Sequence, residues 1–124
     1  MTTDWKTTLV DGLENIGTFG QTSPGTLAGY KQLHAAGAQT NHLDAKIREL
    51  ICVAVAVTTR SEVCIVNHVA KAKELDATRG EVAETLGVAV AMNAGAAIVY
   101  SGHALDAYSE LTGEPRKTVV GDCG

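Results

Sequence analysis

The chain has 124 residues, of which 45% are hydrophobic and 19% charged, a balance typical of one folded globular domain. Its net charge of −4 and the absence of any Lys/Arg cluster argue against nucleic acid binding, which needs cations to contact phosphates. No signal-peptide pattern precedes Asp4, and the apolar run at 50–57 is too short to cross a bilayer. We therefore expect a cytoplasmic protein with no membrane partner.

The apolar content comes mainly from small side chains, because aromatic residues make up only 4% of the chain. Small side chains let helices approach closely but give a thin core, and a thin core favours self-association. The three cysteines, at positions 52, 64 and 123, form no even framework with recognisable spacing. In a reducing compartment they are expected to be free thiols.

Two helices are predicted before residue 40. The first covers residues 1–20 on the helical spacing of Trp5, Leu9, Leu13 and Ile16, although Gly12, Gly17 and Gly20 weaken it. The second begins at Ser23 and Pro24, a cap followed by proline at the first helical position. Gly37 is expected to end this helix.

A third helix is predicted over residues 43–59, with Asn41 as its N-cap and Asp44 in its first turn. Its β-branched run at 51–57 is also compatible with a strand. The helical period of Leu43, Ile47 and Leu50 continues into that run, and no second strand is available to pair with it, so we favour a buried central helix.

The remaining residues predict three further helices. One covers residues 61–75, and the next begins at the capping box of Thr78 and Glu81. Asn93 and Gly95 predict a bend, followed by a final helix that ends before Gly113. The fold expected is therefore all-α, a single domain of about six helices, followed by a disordered tail at 116–124 that includes Cys123.

The candidate chemistry lies between Glu49 and His68. Cys64 and His68 are four residues apart, so on a helix both side chains leave the same face, and Ser61 lies on that face too. Glu49 belongs to the preceding helix, whose apolar residues should bury it against the helix that carries Cys64. A thiol, a base and a carboxylate to orient the base make up an activated nucleophile.

Other interpretations of these residues remain open. Free cysteines often serve as small buried hydrophobes, and Glu49 can simply pair with Lys46, Arg48 or Arg60. Zinc on Glu49, Cys64 and His68 is disfavoured, because paired C-x-x-C or H-x-x-x-H spacing is missing. No flavin, haem or nicotinamide motif is present, so no cofactor is expected. The remaining residues of interest are interpreted as core (Cys52), as solvated (His34, His42), and as an interface or capping residue (His103).

Three segments in order resemble the carboxymuconolactone decarboxylase and alkylhydroperoxidase D family: D-A-K-I-R-E-L-I, T-T-R-S-E-V-C-I-V-N-H-V and A-T-R-G-E-V-A-E. The resemblance covers about residues 25–110 and implies an all-helical domain that forms trimers or hexamers. The family's typical signature is E-x(11)-C-x-x-C-x-x-x-H. Glu49 matches its Glu, Cys64 its second Cys and His68 its His, while Ser61 stands at its first Cys.

In peroxidase members, as the resemblance implies, the second Cys attacks a peroxide after its proton passes to the His and Glu. The first Cys then forms a disulfide that an external dithiol reduces. Ser61 cannot form that disulfide, and Cys52, on another helix, is an imperfect substitute. The chain is therefore expected to use an external thiol, or it is not a peroxidase, or Ser61 is an engineered replacement of cysteine.

Thiol-dependent peroxide reduction is the preferred hypothesis, with peroxide and an external thiol or dithiol as partners. The family's lyase branch gives the alternative, decarboxylation of a small carboxylated lactone with His68 and Glu49 as acid and base. A shortage of cations argues against it, since Arg60 is the only obvious carboxylate clamp in the sequence. A noncatalytic oligomeric binding protein, with Cys64 sealed from solvent, is the third possibility.

Overall fold

The computed structural model describes residues 3–116, and these form α-helices without strands. The five helices are α1 (Trp5–Thr22), α2 (Pro24–Ala36), α3 (Ala45–Thr58), α4 (Glu62–Glu74) and α5 (Arg79–Thr112). The all-α prediction is confirmed. The β-branched run at 51–57 is helical, as the continuing helical period indicated.

The prediction of six helices is wrong, because no break occurs at Asn93 or Gly95 and α5 runs unbroken for 34 residues. Asn and Gly are poor helix formers, but each costs only about 1 kcal/mol or less in a helix interior. The good helix formers around them outweigh that cost. The end of the helix is as predicted, since Gly113 follows Thr112 with a φ of 74°, a conformation that glycine adopts without strain.

Side-chain caps set most of the helix starts. Thr78 and Glu81 form the reciprocal capping box that the sequence predicts, with Thr78 N donating to Glu81 Oε1 at 2.9 Å and Glu81 N to Thr78 Oγ1 at 3.1 Å. The predicted cap of α3 is wrong: Asp44, not Asn41, accepts from Ile47 N at 2.9 Å. Asn41 instead has a φ of 51° in the preceding turn, a conformation that Asn tolerates better than most residues.

The described residues fall into two compact units, one ending at Ala89 and the other beginning at Val90. In the first unit α3 packs on α4, and α1 packs on both α4 and α2. Its core is small, and the side chains below the surface belong to Leu50, Val53, Ala56, His68 and Ala72. Val53 is only 1% exposed. The prediction of a buried central helix holds for one face of α3, since Ile51 and Val55 on other faces are about half exposed.

Gly12 explains how α1 comes so close to α4. It is buried in α1, and a Cβ added to it would overlap the side chain of Val63 at the start of α4. Gly17, by contrast, has open space around its Cα. A glycine that weakens the helix locally therefore allows the close packing that positions α4.

The second unit contains the C-terminal part of α5, and none of its described residues is buried. Apolar side chains cover every side of the helix there, and Val90, Ile98, Leu105 and Leu111 are each at least 66% exposed. By length and composition alone α5 is apolar enough to cross a membrane, a criterion that core helices of water-soluble proteins also meet. The predicted disordered tail, apart from Arg116, lies outside the described residues, as does Cys123.

Candidate functional site

A buried carboxylate and imidazole pair joins α3 to α4. Glu49 Oε2 lies 2.6 Å from His68 Nδ1, and the two side chains are 16% and 8% exposed. With Glu49 ionised, Nδ1–H donates to the carboxylate, which fixes the ring orientation and leaves Nε2 for another partner. This is the arrangement of an oriented general base.

The cations near Glu49 in sequence have other contacts. Lys46 Nζ pairs with Glu81 Oε2 at 2.7 Å. Arg48 donates to Asn41 Oδ1 at 3.2 Å and to the Leu43 carbonyl oxygen. The alternative interpretation of Glu49 as a surface partner of Lys46 or Arg48 therefore does not describe the contact that it makes.

Ser61 and Cys64 lie together at the start of α4. Ser61 is the N-cap, and its Oγ accepts from Cys64 N at 3.4 Å, a long hydrogen bond. Cys64 is half-buried in the first turn, where the partial positive charge of a helix N-terminus attracts an anion. Ser61 thus has a structural role as a cap, which a hydroxyl serves well.

The sequence interpretation missed Cys52 and His34. One ring nitrogen each of His34 and His68 and the Sγ of Cys52 all lie within 4.8 Å of one another. The rings of His34 and His68 are nearly parallel, at 11°, with centroids 6.0 Å apart. Cys52, interpreted as a core residue, is half-buried, and burial followed by the Glu49 carboxylate raises the pKa of its thiol.

A sequence signal existed for Cys52 but not for His34. Cys52 is three residues after Glu49, so helical spacing places both on one face of α3. His34 is on α2, and nothing in the sequence indicates that its ring stacks on a ring of α4. Its exposure agrees with the prediction of a solvated histidine, but its contact with His68 was not foreseen.

Two pockets adjoin this cluster. The first has a volume of about 290 Å³, and His34, His68, Lys31, Lys71 and Asn67 are among its lining residues. The second has a volume of about 460 Å³ and is lined in part by His34, Glu49, Cys52 and Arg48. His34 lines both pockets. Solvent and small ligands therefore have space to approach the cluster from two directions.

The fold and the site together define a small all-helical protein in which a carboxylate on one helix orients a histidine on the next, close to the free thiol of Cys52. Residues 24–107 match the model of the carboxymuconolactone decarboxylase family. The match spans more than half of the chain, and the chain belongs to this family. The resemblance of its three sequence segments to the family is thereby confirmed.

Relatives from three bacteria align with most of the chain. A protein of Haemophilus influenzae is 50% identical over 109 residues, covering 88% of this chain and 96% of its own length. A protein of Cupriavidus necator is 33% identical over 111 residues, covering 90% and 98%. The protein named "Uncharacterized protein 4 in cox locus" of Paracoccus denitrificans is 39% identical over 87 residues, covering 70% and 75%. None of the three names states an activity.

Proposed function

We propose that the protein is a thiol-dependent peroxide reductase of the alkylhydroperoxidase D type. Cys64 is the nucleophile, His68 is the base that accepts its proton, and Glu49 orients His68. The observation that carries the proposal is the 2.6 Å contact between Glu49 Oε2 and His68 Nδ1 in a largely buried setting. A buried carboxylate fixed on one imidazole nitrogen prepares the other nitrogen to take up a proton.

The reaction balances with two external thiols for each peroxide. The Cys64 thiolate attacks one peroxide oxygen, the O–O bond breaks, and the alcohol leaves with a proton while the sulfur becomes a sulfenic acid. A first external thiol condenses with the sulfenic acid and releases water. A second external thiol attacks the mixed disulfide, which restores Cys64 and yields the oxidised reductant as a disulfide.

An external thiol is needed because Ser61 stands where the family signature has its first Cys. The Ser61 hydroxyl can cap α4, as it does here, but it cannot form a disulfide with Cys64. We expect Ser61→Cys to raise turnover with a dithiol reductant, because the resolving step then becomes intramolecular and gains a high effective concentration. The same substitution removes the hydroxyl that caps α4, so circular dichroism must confirm that the variant folds.

The test is peroxide-dependent oxidation of a dithiol reductant, measured at steady state. Cys64→Ser is expected to reduce the rate to background. Glu49→Gln and His68→Ala should each lower it by about 10² to 10⁴-fold, the usual contribution of an oriented base. Cys52→Ser is the matched control, because it also replaces a thiol sulfur by a hydroxyl oxygen, but on α3. It should retain most of the activity.

Two results would contradict the proposal. One is Cys64→Ser with the activity of the wild type. The other is a Cys64 thiol that is alkylated no faster than free cysteine at neutral pH, because an activated nucleophile must react faster. The second result, together with lack of any activity, would favour the noncatalytic binding protein, although the half-buried Cys64 is not the sealed thiol expected for it.

A decarboxylase is the second candidate, and one observation favours it. The pocket of about 290 Å³ beside His68 is lined by Lys31 and Lys71, two cations that the sequence interpretation, which found only Arg60, did not place near the site. Cationic side chains of this kind can bind the carboxylates of a small lactone. Release of CO₂ from such a lactone, unaffected by alkylation of Cys64, would distinguish the lyase from the peroxide reductase.

Self-association and a cytoplasmic location complete the proposal. A helix that is apolar on all sides is stable in water when other protein covers it, and α5 beyond Ala89 is of this kind. We therefore propose a homo-oligomer, a trimer or a hexamer as in the family it resembles, in which copies of the chain cover this segment. A reducing cytoplasm would supply the thiols that the reaction consumes.

A further inference from the structure

We propose that His34, Cys52 and His68 form a binding site for one Zn²⁺ ion. One ring nitrogen of each histidine and the Sγ of Cys52 already lie within 4.8 Å of one another. Zinc at its usual bond lengths holds nitrogen and sulfur ligands about 3.3 to 3.6 Å apart. A contraction of up to about 1.2 to 1.5 Å is therefore required, and the exposed side chain of His34 can supply part of it by rotating about χ1 and χ2.

The Glu49 contact prepares His68 to be a metal ligand. A histidine that binds zinc usually donates its other ring N–H to a carboxylate, which fixes the tautomer and strengthens the metal bond. Glu49 Oε2 makes this contact with His68 Nδ1 at 2.6 Å. Nε2 is the nitrogen that Glu49 leaves available, and zinc binding requires the His68 ring to present this atom to His34 and Cys52.

Charge and solvation also favour an ion at this position. Cys52 is the anionic ligand once it loses its proton to solvent, and two neutral imidazoles complete a donor set that suits zinc. The Glu49 carboxylate lies next to His68. The charges of Zn²⁺, the Cys52 thiolate and this carboxylate therefore sum to zero. A partly buried site without net charge avoids most of the cost of desolvating an isolated ion.

Space for a fourth ligand exists on two sides. His34 and His68 line the pocket of about 290 Å³, and His34 and Cys52 line the pocket of about 460 Å³. Three protein ligands with an accessible fourth position are typical of zinc sites that hold a water molecule. The pockets also give the ion a path from solvent.

Zinc binding and peroxide reduction use different thiols but share His68. An ion on Nε2 would prevent His68 from accepting the proton of Cys64, so zinc should inhibit the proposed peroxide reductase. The zinc site itself does not depend on Cys64. Each proposal can therefore fail without the other.

The experiment is calorimetric titration of the reduced full-length chain with Zn²⁺. We expect one ion per chain in the wild type. Cys52→Ser and His34→Ala should each raise the Kd for Zn²⁺ by at least about a hundredfold, and Glu49→Gln by about 10- to 100-fold. Circular dichroism in the helical region checks that each variant folds.

Two matched controls test whether the effect belongs to this cluster. Cys64→Ser removes the thiol of the neighbouring helix, and His42→Ala removes an exposed histidine; both should bind Zn²⁺ like the wild type. Co²⁺ bound to the wild-type chain provides a spectroscopic test that needs no substitution. A single thiolate ligand gives a charge-transfer band in the near ultraviolet, which should be absent from Cys52→Ser.

The site is overturned if Cys52→Ser and His34→Ala both bind Zn²⁺ as tightly as the wild type, which would mean adsorption elsewhere on the surface. It is equally overturned if the wild-type chain binds no stoichiometric Zn²⁺, or if its Co²⁺ spectrum shows no thiolate band. Loss of peroxide reduction in Cys64→Ser with unchanged Zn²⁺ binding would support both proposals independently.

Discussion

In residues 3–89 the packing of α3 on α4, and of α1 on α4 and α2, buries a small core, whereas no described residue of α5 from Val90 onward is buried. Every side chain that is buried among the described residues belongs to the first region. The candidate site lies there too, between α3 and α4, with His34 contributed by α2. The first region therefore has its own core and holds the candidate site, while the described apolar side chains of the second region are exposed in the single chain.

The contrast shows that hydrophobic composition does not decide where a residue is buried. Small and branched apolar residues are common both in α3 and in α5 beyond Ala89. On α3 one face is covered by α4, so that Val53 is 1% exposed, while Val90 on α5 is 66% exposed. Ile98→Lys, and Val53→Ala compared with Val90→Ala, test whether this difference persists in solution.

Ile98→Lys should have the largest effect, on self-association. Ile98 is 72% exposed in the single chain, so the substitution should leave the helical content of the chain unchanged. If copies of the chain cover Ile98, losing its burial removes about 1.5–3 kcal/mol per copy, a ten- to hundredfold weaker association, before the cost of burying a Lys charge. Sedimentation equilibrium measures the change.

Glu110→Lys is the control for Ile98→Lys, since it adds positive charge to the same helix at an exposed position that is already polar. It should associate like the wild type. A lysine at position 98 that leaves the molecular mass in solution unchanged would show that this face of α5 lies outside any subunit contact.

Val53→Ala should lower the free energy of unfolding by about 2–3 kcal/mol, because it removes two buried methyl groups and leaves a cavity between α3 and α4. Val90→Ala makes the same chemical change in the second region. At a protein concentration where the chain is monomeric, it should cost less than about 0.5 kcal/mol. Urea unfolding followed by circular dichroism measures both.

The comparison between the two regions fails if Val90→Ala is as costly as Val53→Ala in the monomer. A cost for Val90→Ala that grows with protein concentration would instead support coverage by a second copy, because association stabilises only the folded chain.

Gly12→Ala should destabilise the first region by about 1–3 kcal/mol, since the new methyl group would overlap the side chain of Val63 and push α1 from α4. Gly17→Ala is the matched control. Gly17 lies on the same helix with open space at its Cα. The substitution should therefore stabilise the chain by up to about 1 kcal/mol, because Ala has a higher helix propensity than Gly. Thermal unfolding of the two variants should therefore shift in opposite directions.

An equal gain for Gly12→Ala and Gly17→Ala would mean that α1 and α4 do not approach as closely in solution. Because α4 carries both Cys64 and His68, this result would also change the expected geometry of the site.

Glu81→Gln should have the smallest effect, and only on the pH dependence of stability. The contact with Lys46, followed by the Thr78 backbone N–H, holds the pKa of Glu81 below its ordinary value of 4.5. Its contribution is present above pH 4.5 and is lost as the pH falls through the lower folded pKa. The wild type should therefore lose stability more steeply than Glu81→Gln on acidification below pH 4.5.

Urea midpoints measured from pH 7 to pH 3 test this prediction, with Glu84→Gln, an exposed position on the same helix, as the control. Parallel pH profiles for the wild type and Glu81→Gln would show that the Lys46 and Thr78 contacts do not persist in solution. The effect is small because solvent screens an exposed pair.

Much of the fold could be predicted because it depends on local sequence. Pro24 after Ser23, the capping box of Thr78 and Glu81, and Gly113 all act within a few residues, and they mark helix ends in the structure. The two errors were also local. Asn41 was the predicted cap of α3, but Asp44 caps the helix in the structure. Asn93 and Gly95 were predicted to bend α5, but two weak helix formers do not outweigh a long helix of favourable residues.

The sequence by itself determined the family and the helical class, because helix caps and helical periodicity act within a few residues. It predicted that Glu49 orients His68, and the structure shows that contact. Only the tertiary structure decided that His34 and Cys52 join His68, and that lysines line the adjoining pocket. Those contacts depend on how α2 lies relative to α3 and α4. Side-chain periodicity within one helix carries no information about that arrangement.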